Sequence, residues 1–237
     1  MRYTSSNYEV LVAMALYQCL YYSFFSITGL RQTMATGFLF LAIPFAVRRK
    51  PWQFALLVLV AATQHKSALL FMPFYFLSYM KHSRLMLVAS LIMFIPMWVY
   101  GSQIAGWFMM GNTFEQYLDY LEGYEGAGAY GFAAYILLLG VLLIFYHKDV
   151  IKSVYSTNIV LNSVAVAIFL TPLTMIDPSN MRVVQYYSIF ALIALPWVIS
   201  KIKFSGVKDR YIIVTILLAI YTLTRGSEYA FFWQDMT

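Results

Sequence analysis

The sequence is short of charge and of cysteine. Asp, Glu, Lys and Arg make up 11% of its 237 residues, against roughly 25% in a soluble domain. A globule with so few polar side chains has no means of covering its surface, which excludes an ordinary soluble fold. Cys19 is the only cysteine, and this excludes an intramolecular disulfide or a cysteine metal cluster. The opening residues lack a small-residue cleavage pattern, so the first apolar run is expected to act as an uncleaved signal anchor. Internal repeats, low-complexity tracts and domain linkers are absent. No P-loop spacing occurs, and none for a Ser-His-Asp triad. The glycine-rich stretch Gly126-Ala127-Gly128-Ala129-Tyr130-Gly131 fits a dinucleotide pattern. It follows no strand and enters an apolar run, so it reads as a loop end.

What the chain has is apolar surface: 62% hydrophobic and 19% aromatic residues. Apolar runs lie near 8–28, 32–47, 51–64, 67–80, 85–101, 130–146, 154–173, 183–200 and 211–224. They predict an all-α, polytopic transmembrane helix bundle of about nine spans, a single integral membrane domain over 1–237. The net charge of +6 does not read as a nucleic-acid footprint, because the cations sit in short clusters between apolar runs. No nucleic-acid partner is expected. The lipid bilayer is the first partner, and the expected location is an inner-type membrane, multi-pass.

Orientation turns on residues 51–80, which form either one long helix or a short, re-entrant-like helical hairpin. Arg48-Arg49-Lys50 and Lys81-His82-Ser83-Arg84 flank the stretch, and Gln64-His65-Lys66-Ser67 lies at its middle. With the hairpin and the N-terminus inside, twelve of the 16 cations fall on the cytoplasmic side, leaving Arg31, Lys66, Arg182 and Arg225 outside. The single helix reverses everything downstream and leaves six inside and nine outside, with Lys66 buried. The positive-inside rule selects the hairpin. Seven of the ten acidic residues then lie outside, a weaker sign in the same direction. His65 is separated by the membrane from His82 and His147, so no histidine metal triad is expected. The longest outer loop, about 102–129, places Phe114, Tyr117, Leu118 and Leu121 on one helical face and Glu115, Asp119 and Glu122 on another. That spacing predicts an interfacial helix, either a plain loop helix or an acceptor-glycan surface.

Cations on the outer side run against the orientation rule and call for another reason. Arg31 opens a helix after Gly29, as a headgroup-touching turn cation or as an anion clamp aided by backbone N–H groups. His65 and Lys66 mark the hairpin tip. Each leg of about 14 residues gives ~21 Å of helix against a ~30 Å hydrocarbon core. The tip therefore belongs in a recess, as a snorkelling turn or as a phosphate-binding Lys beside a proton-exchanging His. In Asp177-Pro178-Ser179-Asn180-Met181-Arg182, Pro178 breaks the helix and Ser179 or Asn180 caps the next one. Arg182 then stands in a first turn, where the dipole disfavours a cation unless Asp177 or a bound anion offsets it. Arg225 and Glu228, at i and i+3, read chiefly as a surface pair.

The segment Gly29-Leu30-Arg31-Gln32-Thr33-Met34-Ala35, followed by Gln64-His65-Lys66-Ser67-Ala68-Leu69-Leu70 and Pro73, and later by Arg182 with Tyr186 and Tyr187, resembles the EpsG family. These are bacterial exopolysaccharide and O-antigen polymerase-like, Wzy-type membrane proteins. The chain departs from the pattern in two ways. Gln64 stands where an aromatic is common. One span precedes the Gly-x-Arg-Gln segment where relatives carry more, so the usual N-terminal helices are expected to be lacking. The resemblance implies polymerisation of lipid-linked oligosaccharide repeat units by glycosyl transfer from a polyprenyl-diphosphate donor at the outer face. The residues suit that chemistry. Arg31, Lys66 and Arg182 are the expected diphosphate-binding cations. His65, then Asp177, are the expected bases. Gln32, Ser67, Tyr186 and Arg225 are expected in support, and Tyr186, Tyr187 and Trp107 line the lipid or sugar path or form ordinary aromatic belts. No metal site or certain cofactor is implied; a divalent cation at the diphosphate stays open. Chain-length or export proteins are further expected partners. The competing readings are a lipid-linked oligosaccharide flippase and a non-catalytic subunit of an export complex.

Overall fold

The computed structural model describes residues 7–27, 29–108, 129–151, 155–176, 180–203 and 206–224, all of it helix, turn or connecting chain, with no strand among the described residues. Helix α1 (Asn7–Tyr17) continues into a π-helical segment, Gln18–Ile27. Then follow α2 (Leu30–Val47), α3 (Pro51–Gln64), a 3₁₀ segment (Lys66–Phe71), α4 (Phe74–Leu77) and α5 (Ser83–Phe108). The second half holds α6 (Tyr130–Phe145), α7 (His147–Val150), α8 (Tyr155–Leu170), α9 (Leu173–Ile176), α10 (Met181–Ser188), α11 (Ala191–Lys201) and α12 (Val207–Thr224).

Two of these, Leu30–Val47 and the Ser83–Gly101 part of α5, are long and apolar enough to cross a membrane. Met181–Ser188 and Ala191–Lys201 meet the same length and apolarity only when taken as one pair, bent by 51° at Ile189-Phe190, as in a broken span or a re-entrant loop. The expected straight span over 183–200 is thus two helices. Pro51–Gln64, Lys66–Leu77 and Tyr130–Phe145 are shorter apolar helices. Residues 114–122, where an interfacial helix is expected, lie outside the described residues.

The hairpin forms, but its return leg is not the continuous helix expected over 67–80. It runs as a six-residue 3₁₀ segment, a turn at Met72-Pro73, and the single turn of α4. Pro73 has no N–H to give to a preceding carbonyl and stands at the turn between the two pieces, although Pro44, Pro96 and Pro196 are accommodated inside α2, α5 and α11. Aromatic rings fill the space instead. Phe71 stacks on Phe74 with centroids 4.4 Å apart, Phe54 packs on Tyr75 at 5.5 Å, and Phe74 reaches Phe190 at 5.5 Å. At the hairpin base, Asn162 Nδ2 of α8 donates to the carbonyls of Leu77 (3.0 Å) and Met80 (2.8 Å). Arg49 lies over the Tyr79 ring at 4.9 Å.

Helix α8 is the hub. Ile159 to Ala165, together with Ala167 and Ile168, are all buried, so its whole circumference meets protein. It packs on α5, α6 and α10, while α2 lies along α3 and α1 against α11 and α12. Helices α2 and α3, joined by a short turn, run antiparallel. The start of α2 therefore lies at the hairpin tip, opposite the Arg48-Arg49-Lys50 turn.

Candidate functional site

Three chain segments far apart in sequence meet at that tip. From α2, Gln32 is buried and its Nε2 donates to the Arg182 carbonyl and to Gln185 Oε1 (2.6 Å) on α10. From the hairpin, Ser67 Oγ lies 3.0 Å from Tyr186 OH, also on α10, and 2.6 Å from His65 Nδ1. One turn deeper, Tyr187 OH donates to the Leu70 carbonyl at 2.8 Å. The start of α2, the hairpin tip and the start of α10 are thus locked together by side-chain hydrogen bonds. Buried polar groups need such partners, because an unmade bond in an apolar surrounding costs about 1–3 kcal/mol.

The local sequence explains why these groups stand free of their own helices. His65 is extended (φ −148°, ψ 115°) between α3 and the 3₁₀ segment, so its ring leaves the helical stack. Gly29 precedes α2 and carries no side chain to cap it, and Asn180 at the head of α10 makes no side-chain cap either. Of the two expected caps, Asn180 does not serve, since its Nδ2 donates backwards to the Leu173 carbonyl at 3.0 Å, and Ser179 lies outside the described residues. The start of α2 has no side-chain cap, so its first-turn N–H groups mark the positive end of a dipole at this site.

Arg31, Lys66 and Arg182 are all exposed at this end. Arg182 comes close enough to His65 to matter electrostatically. Desolvation, and then the Arg182 charge, push the His65 imidazole below its ordinary value. At neutral pH the ring is consequently the neutral form, able to accept a proton. Gln32 Oε1 is buried without a hydrogen-bond partner among the described residues, leaving an acceptor at the site.

Of the sequence-expected residues, the structure brings together Gln32, His65, Ser67, Arg182 and Tyr186, with Arg31 and Lys66 beside them. Asp177 and Arg225 lie outside the described residues, as does the side chain of Trp107. Sequence reasoning passed over Gln185. Its signal was a lone amide within Val183-Val184-Gln185-Tyr186-Tyr187, a polar residue in an apolar helix that needs a buried partner.

The EpsG family model matches residues 1–235, essentially the whole chain. The chain belongs to the EpsG family. No curated protein and no solved structure matches it. Membership, with the apolar helices, makes this an exopolysaccharide-related membrane protein. In this EpsG protein, the family-like Gly-Leu-Arg-Gln and His-Lys-Ser segments are the ones that meet at α10.

Proposed function

We propose that this EpsG-family protein polymerises lipid-linked oligosaccharide units, transferring a glycan from a polyprenyl-diphosphate donor at the outer face of the bacterial cytoplasmic membrane. In this reading the N-terminus is inside and about nine segments enter the membrane. The observation that carries it is the meeting of three cation-bearing segments at one end of the bundle through Gln32–Arg182 and Ser67–Tyr186.

The chemistry follows from the leaving group. As the bond between the anomeric carbon and the diphosphate oxygen breaks, negative charge grows on the diphosphate. Arg31, Lys66, Arg182 and the first-turn N–H groups of α2 stabilise that charge. The acceptor hydroxyl attacks the anomeric carbon from the opposite side, and configuration inverts. His65 takes its proton at Nε2, while Ser67 Oγ holds Nδ1 and Tyr186 OH holds Ser67. Ser67 has two acceptor lone pairs, so it accepts from both neighbours. Gln32 and Gln185 act as positioning residues that fix α10 against α2.

The test is transfer in proteoliposomes supplied with polyprenyl-diphosphate oligosaccharide. Arg31→Ala and Arg182→Ala should each lower turnover by about 10²-fold or more, the usual loss for one oxyanion-stabilising donor, with membrane insertion retained. Full activity in Arg31→Ala would sink the assignment. Retained lipid binding without a glycan ladder from the parent chain would instead indicate a flippase or a non-catalytic subunit.

A further inference from the structure

An apolar cleft of about 410 Å³ opens on the side of the bundle, lined by residues that include Tyr17 of α1, Phe40, Ile43 and Pro44 of α2, and Ile189 and Ile193 at the α10–α11 bend. It falls in the range of small-molecule sites, roughly 300–1,000 Å³. Its walls are the same two elements, α2 and α10–α11, whose ends carry the polar site. On α2 the cleft begins eight residues beyond Gln32, about 12 Å along the axis.

The surface between the two is shaped as a path. Thr33, Gly37, Phe40 and Pro44 follow one another at i, i+4, i+7 and i+11, so they share one face of α2. Gly37 is exposed, and a Cβ built on it would meet nothing within 4 Å. Gly37 therefore leaves a gap in the side chains between the helix start and the cleft. On α10, Arg182 and Ile189 stand seven residues apart, again on one face. On α10 the cation and the cleft wall thus align, while on α2 the residue of the helix start that shares the cleft face is Thr33.

We infer that this cleft seats the polyprenyl tail of the donor lipid, the chain leaving the diphosphate on the Arg182 side, passing Gly37, and lodging between Phe40, Pro44, Ile189 and Ile193. The inference rests on the substrate reading above and adds the tail's seat to it. A bulk phospholipid chain is the alternative occupant. Apart from Tyr17 the described lining is apolar, so selection for the polyprenyl chain comes from its being anchored by the diphosphate at the Arg182 end of the same face.

The probe is undecaprenyl diphosphate carrying a diazirine in its tail, photolysed with the full chain in nanodiscs and mapped by mass spectrometry. Adducts are expected on α2 from Phe40 to Pro44 and on 189–193. Excess unlabelled polyprenyl diphosphate should suppress them, and the same excess of phosphatidylglycerol should not. Gly37→Leu projects into open space and leaves the helix packing intact, yet should lower this labelling by about tenfold or more, the worth of a few buried methylenes. Labelling that phosphatidylglycerol suppresses equally, or that Gly37→Leu leaves unchanged, overturns the tail seat. The parallel readout is retention of the lipid by Arg31→Ala. Weakened retention with adducts mapping elsewhere refutes the cleft and leaves the diphosphate site standing. Undiminished retention and adducts in Arg31→Ala refute the anchoring and the substrate reading with it.

Discussion

At the scale of single residues the decisive group is His65. Its neighbours are a serine hydroxyl at 2.6 Å and the nearby Arg182 charge. Both burial and that charge disfavour the imidazolium, so the ring titrates below the ordinary histidine value of about 6.5. A base must be unprotonated to act. Transfer should therefore be flat from neutral pH upward and fall only on acidification below the ordinary value. The same physics is readable directly by NMR of ¹³C-labelled histidines in detergent. In Arg182→Gln the His65 midpoint should rise, while His147, depressed by burial and by Arg84, should stay where it is. An unmoved His65 midpoint would mean that Arg182 does not face the ring. The residue types at this site were legible in the sequence, because outward cations and an isolated histidine are costly in a membrane chain. Their pairing was not, since a hydrogen bond such as Ser67–Tyr186 spans 119 positions and leaves no local trace.

At the scale of elements, close helix contact depends on one glycine. Gly140 on α6 faces Ile168 on α8, and a Cβ there would lie 2.5 Å from Ile168 Cδ1 and 3.4 Å from Cγ1. Ile168 is fully buried and has little room to give. Gly140→Leu should therefore force the two helices apart, an overpacking cost of about 1–3 kcal/mol, seen as a lower melting temperature in detergent and a reduced folded yield. Gly37→Leu, on an open face, is the matching control and should leave the melting temperature unchanged. Apolar runs located the long helices within a few residues: 51–64 was expected and Pro51–Gln64 found. The broken return leg and the 51° bend escaped that reading, because hydrophobicity measures burial and does not register where a chain turns inside an apolar surrounding. Pro73 was the available sign for the first. The bend at Ile189-Phe190 has no such marker in the sequence.

At the scale of the whole molecule the proposed site depends on orientation. It is tested by single cysteines on a Cys19→Ser background, which removes the only native thiol. Cysteine at position 66 should react with a membrane-impermeant maleimide in intact cells, and cysteine at 81 only after permeabilisation. Reaction of position 81 from outside would replace the hairpin topology with the single-helix one and move the proposed site off the outer face. The sequence by itself determined the solvent, since 11% charge leaves lipid as the medium in which such a chain is stable. It determined the helical class as well: in lipid every backbone group must be satisfied by helices or a closed barrel, and the apolar runs are continuous rather than alternating. It also determined which residues pay a cost that function has to explain. Only the tertiary structure decided that Gln32 meets Gln185, that Ser67 meets Tyr186, and that an apolar cleft lies along the same two helices. Those contacts arise from how the helices pack around α8, and packing is a property of surfaces brought together from distant parts of the chain.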